Sequence, residues 1–236
     1  MRNLWIKIVL ILIVIIFILN IKVTTQQGIN YQWHTVNLPL YLKLLDFFDR
    51  HYNYKQLVKR ITKDANSGEE KVIKLFEWTS SNIKKVPEGY SIIDDHVWHI
   101  IVRGYGTDDQ ACDVFSTLCS YAGAEAIFLW LDSEDKTKRM PFSFVKIKDK
   151  WFVFDTYNSV YFKNSRKELA STEDIKNNNW KAEEINGKGS PDIEYKEYFL
   201  NIPNINNVAL QRTTIQSPLN RLFFEIKKVI NNKRHD

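Results

Sequence analysis

Two thiols, a scatter of carboxylates and a pair of histidines are the side chains in this chain whose types and spacing could carry chemistry. Cys112 and Cys119 stand in one run with Asp108, Asp109 and Gln110 ahead of them, Gly104-Tyr-Gly-Thr-Asp-Asp-Gln-Ala-Cys-Asp-Val-Phe-Ser-Thr-Leu-Cys-Ser-Tyr-Ala-Gly123. A cysteine at a helix N-terminus can act as a nucleophile, because the unpaired N–H groups and the helix dipole stabilise its thiolate. Acyl transfer through such a thiol also needs a base within hydrogen-bond reach and a group behind the base to orient it. Two carboxylates, Asp108 and Asp155, could instead work as acid and base, or hold a divalent cation with Asp109. His96 and His99 stand three apart, as a metal-binding pair can. With no third ligand and no acid to orient the rings in view, they are read as packing or surface histidines, and no metal or other cofactor is expected.

The elements that would position these groups are legible. Thr107 and Gln110 are spaced as a capping box, so Thr107 is the expected N-cap, with Asp108 and Asp109 in the first turn where negative charge suits the dipole. Gly123 supplies a left-handed C′ position that stops the helix. Ala111, Phe115, Leu118, Cys119 and Ala122 recur at three- and four-residue intervals and predict one apolar stripe. The two cysteines, seven apart on this helix, are separated by roughly 10 Å along its axis, too far for a disulfide, so free thiols are expected. Strands follow at Ala124–Leu131, Pro141–Lys148 and Trp151–Tyr157. The last two should form a hairpin turning at Asp149-Lys150, with Phe142, Phe144, Asp155 and Tyr157 on one face and Phe142 diagonal to Asp155.

A capped helix after a Gly-rich turn, closed by glycine and followed by a hairpin with Trp and Asp four apart, resembles the transglutaminase-like family of the papain-type cysteine hydrolases. The resemblance implies an α+β fold with helices packed on an antiparallel sheet. It also implies a nucleophilic Cys in a Gly-x-Cys at the helix start, a His on a His-Ala-Trp-x-Glu-Val-like strand and an Asp on a Trp-x-x-x-Asp strand. Here Phe142-Ser-Phe-Val-Lys-Ile147 stands for the second motif and Trp151 to Asp155 for the third. Laying Gly123 on the family's glycine puts Asp108 at the nucleophile position and Phe142 at the base position, so only Asp155 keeps the family residue. Cys112 falls one turn too late. The expectation is a family fold with a dismantled triad, acting by binding. Tyr105, Gln110 and Trp151 are the candidates for lining a binding groove, with Trp98 and Trp130 beside them.

The chain has 236 residues, 44% hydrophobic and 26% charged, enough for one domain and an appendage. Leu4 to Leu19 is apolar apart from Lys7, which suits a signal peptide or a short membrane span. Leu19-Asn-Ile-Lys-Val-Thr-Thr25 has no small-x-small cleavage pattern, so a retained anchor over 1–22 is expected. Arg2 and Lys7 outweigh Lys22, which places the body outside the membrane by the positive-inside rule. The expected layout continues with a linker at 23–37 and one domain at 38–236, with its core at 67–163.

The formal net charge is +5, but setting aside Arg2, Lys7 and Lys22 leaves 30 bases against 28 acids, a balance that does not indicate nucleic acid. The expected partners are the membrane and an envelope peptide, glycan or protein. Within the domain, helices are predicted at Leu40–Arg50 and Tyr54–Ile61, and after a Ser67/Glu70 capping box. A short one follows, capped by Asp94 or Asp95. Ser165-Arg-Lys-Glu168 and Ser171-Thr-Glu-Asp174 read as helix starts. Ser217-Pro218 opens a last helix whose Leu219, Leu222, Phe223, Ile226 and Ile230 should pack on the domain.

Overall fold

A computed structural model of the chain describes residues 2–27, 34–92, 96–185, 193–205 and 217–232. It opens with α1 (Arg2–Asn20), a helix long and apolar enough to cross a membrane, none of which is buried against the rest of the protein. The stretch expected as a linker is paired instead. β1 (Lys22–Gln27) and β2 (His34–Pro39) run antiparallel from Lys22↔Pro39 to Gln27↔His34. Val23-Thr-Thr25 and Thr35-Val36 supply β-branched residues, the type that favours strand pairing.

Helices α2 (Leu40–Ile61), α3 (Gly68–Asn82) and α4 (Val97–Arg103) follow. The two helices expected over residues 40–61 are one, since Arg50 to Asn53 contains neither glycine nor proline to break it. Ser67 caps α3 by accepting the Glu70 N–H at 3.1 Å, as its spacing predicts. Asp94 and Asp95 lie outside the described residues, and the N-cap of α4 is His96, whose Nδ1 accepts the Trp98 N–H at 3.5 Å.

Two short strands, β3 (Lys84–Lys85) and β4 (Tyr105–Gly106), pair in parallel ahead of α5 (Asp108–Tyr121). The chain then builds an antiparallel sheet in sequence order, β5 (Glu125–Asp132), β6 (Arg139–Ile147), β7 (Lys150–Asp155), β8 (Val160–Lys163) and β9 (Lys181–Glu184). The short α6 (Thr172–Lys176), capped by Ser171 and Asp174, lies between β8 and β9; α7 (Tyr195–Phe199) and α8 (Pro218–Asn232) end the described chain. The fold is α+β, helices on an antiparallel sheet with one apolar N-terminal helix.

The sheet buries both faces. On one, Ala126, Val145, Ile147 and Phe154 pack with α2, α3, α4 and α5. Phe76, Phe115 and Phe154 meet there at 5.1–5.5 Å between ring centroids. Each buried ring contributes roughly 1.5–3 kcal/mol by removal from water. On the other face Ile127, Phe142, Phe144, Trp151 and Val153 pack with α6 and α7. Helix α5 is therefore enclosed by α2, α3 and α4 on one side and β5 and β6 on the other, and every residue from Gln110 to Cys119 is buried. The single apolar stripe expected from sequence is too narrow a description, because small polar residues (Ser116, Thr117) are accommodated in the interior along with it.

Other differences have local causes. Ile147 pairs with Lys150, so the hairpin turns at Lys148-Asp149, one residue early, with Lys148 at φ 56° as a primed turn requires. This slides the pairing by two residues, which preserves the faces. Ser165 to Glu168 is a turn, not a helix start: Asn164 Oδ1 accepts the N–H groups of Arg166 and Glu168 at 3.0 and 3.1 Å, and Lys167 takes φ 65°. The apolar face of α8 does not pack on the domain, since Leu219, Leu222, Phe223 and Ile226 are all exposed.

Candidate functional site

The approach to α5 is built by glycine and by one glutamine. Gly104 ends α4 at φ 76°, a conformation that favours glycine, and the turn lets Lys84 and Lys85 pair with Tyr105 and Gly106. A Cβ on Gly106 would meet Gln110 Oε1 at 2.8 Å, Gln110 Cβ at 3.0 Å and Ile100 Cγ2 at 3.3 Å. That closeness lets Gln110 Oε1 accept the Thr107 N–H at 3.2 Å, which closes the expected capping box, and an Arg103 Nη2 hydrogen bond at 2.8 Å. Arg103 Nε donates to the Tyr105 carbonyl at 2.9 Å. Gln110 is thus buried as a structural anchor of the helix start, and Tyr105, half-buried, stands next to it against Tyr90.

Asp108 is the first residue of α5 and is half-buried. Its Oδ1 accepts the Asp109 N–H at 2.8 Å. Burial raises its carboxyl pKa above the ordinary carboxylate value, with the hydrogen bond from Asp109 opposing. Cys112, a full turn on, is completely buried. Its Sγ donates to the Pro141 carbonyl at 3.6 Å, and the Ser143 hydroxyl donates to the Cys112 carbonyl at 3.5 Å. Ser143 and Thr156 share a hydrogen bond of 3.1 Å. Burial pushes the thiol far up, and the nearby charges of Asp155 and Asp108 push it the same way, so the group is held as a neutral thiol.

Asp155 ends β7 and is fully buried. Its Oδ1 accepts the Asn158 N–H at 3.0 Å; its Oδ2 accepts Asn158 Nδ2 at 2.9 Å and the Tyr195 hydroxyl at 2.7 Å. Burial raises its pKa despite these donors and the Lys85 charge, which favour the carboxylate. Lys85 Nζ donates to Asn158 Oδ1 at 3.3 Å and lies 4.6 Å from the Tyr157 ring centre. Phe142, also fully buried, packs against Tyr195, Tyr198 and Phe199 at 6.2, 5.8 and 5.5 Å between centroids.

Of the three residues aligned with a catalytic triad, Phe142 and Asp155 therefore come together under Tyr195 of α7. Asp108 is placed on α5, against the other face of the sheet, and its charge and that of Asp155 both bear on the Cys112 thiol. Ser143, the neighbour of Phe142 on β6, hydrogen-bonds α5 at the Cys112 carbonyl. Trp151 lies four residues before Asp155, about 13 Å along the strand, and borders a different recess with Asp149, Ser171, Thr172 and Pro203. Among the described residues no three of His, Cys, Asp and Glu gather as metal ligands. His51 and His96 bond Tyr121 and Tyr54 at 2.8 and 3.3 Å.

Sequence reasoning missed Ser143, Thr156, Asn158 and Tyr195. Asp155-Thr-Tyr-Asn158 carries a usable signal, because Asp and Asn around a turn bond the backbone locally. Tyr195 has none: its link to Asp155 spans 40 residues of sequence.

No family model matches the chain, and no curated protein matches it. Among solved structures it is similar to a candidate cysteine protease from Cytophaga hutchinsonii, with TM-score 0.39 and 13% identity over 44% of this chain and 36% of that one. A candidate protease from Parabacteroides distasonis gives TM-score 0.38 and 14% identity over 56% of this chain and 35% of that one. A transglutaminase gives TM-score 0.33 and 13% identity over 56% and 43%. The chain spans 35–43% of the length of these matched chains.

Proposed function

We propose that the chain is a transglutaminase-like domain, 38–236 with its core at 67–163, tethered by a membrane helix at 1–22. On this reading the body stands outside the membrane and works in a cell-envelope process by binding a peptide, glycan or protein, with no catalysis of its own. The observation that carries the reading is the environment of Asp155. An orienting acid in a thiol hydrolase points at an imidazole. Here both oxygens of Asp155 are engaged by Asn158 and Tyr195, an aromatic ring at Phe142 fills the neighbouring space, and the nearest thiol is buried and neutral. Loss of single members of such a unit already lowers rates by orders of magnitude.

The test uses the full chain in nanodiscs, incubated with glutamine-donor and amine-acceptor peptides and with amide substrates. The expected result is no turnover that differs between wild type and Cys112→Ala, together with co-sedimentation of the protein with an envelope polymer or peptide. Turnover lost in folded Cys112→Ala would overturn the non-catalytic assignment. Turnover lost in Asp108→Asn or Asp155→Asn but kept in Cys112→Ala would replace it with a carboxylate-based hydrolase.

A further inference from the structure

The chain leaves two large apolar faces uncovered close to the end of α1. In the first half of α2, Leu42, Leu45, Phe48 and Tyr52 are between 43% and 63% exposed. They fall at helical spacing on one side, and only the second half of α2 sends residues, Tyr54 and Val58, into the core. In α8, Leu219, Leu222, Phe223 and Ile226 form a second stripe, between 45% and 67% exposed. Helix α2 touches both α1 and α8, which places both exposed stripes on elements next to α1. Monomeric soluble domains rarely leave contiguous apolar patches of this kind to water.

The hairpin fixes where these faces lie. Because Lys22 pairs with Pro39, the chain that leaves α1 returns to its starting point, and the Leu40 N–H donates to the Ile21 carbonyl at 2.9 Å. Helix α2 begins at the foot of α1, and Leu42 to Tyr52 follow within about 20 Å of it at 1.5 Å per residue. The charge pattern suits a lipid surface. Residues 218–232 carry Arg221, Lys227 and Lys228 against Glu225, the first half of α2 balances Lys43 and Arg50 against Asp46 and Asp49, and Lys22 stands at the foot itself. An amphipathic helix with a basic polar side and Leu, Ile and Phe on the other is the form that lies in a bilayer interface.

We propose that α8 and the first half of α2 form an interfacial collar, their apolar faces seated in the headgroup region of the anionic bilayer that α1 crosses. The proposal rests on the reading of α1 as a membrane span. It adds that the body is held down on the membrane by a second contact, which orients it.

The test reconstitutes the full chain in phosphatidylcholine–phosphatidylglycerol vesicles, with a fluorescent label on one introduced cysteine at a time: Leu45→Cys, Phe223→Cys, Ile11→Cys in the span, or Glu134→Cys on an exposed turn. Cys112 and Cys119 are buried and stay unlabelled. Labels at 45 and 223 should be quenched by lipids carrying a shallow nitroxide, and by aqueous iodide at least about threefold less than at 134, while 11 responds to a deep nitroxide. Adding Leu222→Glu to Phe223→Cys, and separately to Leu45→Cys, should return iodide access at 223, and in part at 45, with the deep response of Ile11→Cys unchanged. Iodide access at 45 and 223 equal to that at 134, with 11 still deep, would overturn the collar and leave the anchor standing. Iodide access at 11 would remove both. Shielding at 223 without lipid quenching, relieved by diluting the protein in lipid, would assign the face to a second copy and also overturn the proposal.

Discussion

The Tyr195 hydroxyl donates to Asp155 Oδ2 at 2.7 Å, so a residue of the short helix α7 closes over the buried acid that ends β7. Removing only the hydroxyl, in Tyr195→Phe, leaves that oxygen a donor short in a buried site and should cost about 1–3 kcal/mol. Tyr195→Ala also removes a ring packed on Phe142, Phe162 and Phe199 and should cost about 3–5 kcal/mol. Equilibrium denaturation of both variants in detergent measures the difference. A Tyr195→Phe variant as stable as wild type would mean that the hydrogen bond contributes nothing net.

Asp155 gives the stability a definite pH dependence. Its folded pKa stands above the unfolded value, so the folded chain holds the proton longer, and the resulting contribution is full below the ordinary carboxylate range and lost as pH rises through the folded value. Wild type should therefore lose stability relative to Asp155→Asn as the pH climbs from about 4 towards neutrality. A difference that moves in favour of wild type over that window would show that Asn158, Tyr195 and Lys85 outweigh burial.

Cys112 should be silent to alkylation. Its side chain is completely buried and its pKa is raised, so iodoacetamide near neutral pH should label it only as fast as the protein opens, with denaturant restoring the rate of an ordinary thiol. Stoichiometric labelling of the folded chain within minutes would contradict the geometry around Pro141 and Ser143.

Gly106 is the position where a methyl group should do most harm at the helix start. In Gly106→Ala the new Cβ has to displace Gln110, the residue that ties Thr107 and Arg103 together, and the expected loss is about 1–3 kcal/mol. Gly68→Ala, where nothing lies within 4 Å, serves as a control and should change stability little. Equal effects in the two variants would remove the case for close packing at the turn.

What the sequence made legible is local chemistry. Thr107 with Gln110, Ser171 with Asp174 and Gly123 after α5 each act within one helical turn and appear in their expected roles. Of the Ser67/Glu70 box only the Ser67 half forms, the Glu70 carboxylate accepting the Asn66 N–H. The hairpin pairing was one residue off at its turn because Lys148 adopts a positive φ that its residue type does not announce. Apart from the local turn to Asn158, the surroundings of Asp155 and Cys112 are not legible. Tyr195 and Thr156 reach them through sheet order and helix docking, which no spacing rule encodes. The faces of α2 and α8 misled for a different reason: periodicity shows that a helix has an apolar side but not whether protein covers it.

The return of the chain at Leu40 also governs reach. A free coil over 23–37 would let a tethered body wander about 20 Å from its anchor point and present any side to a partner. The paired hairpin removes that freedom, since the folded part resumes one hydrogen bond from where α1 ends. On the membrane-anchored reading proposed above, a body held this way would stay in a thin layer at the surface, and a binding partner would have to be delivered into that layer. Affinity measured with the chain free in solution would then understate binding at a surface, where partner and domain meet already aligned.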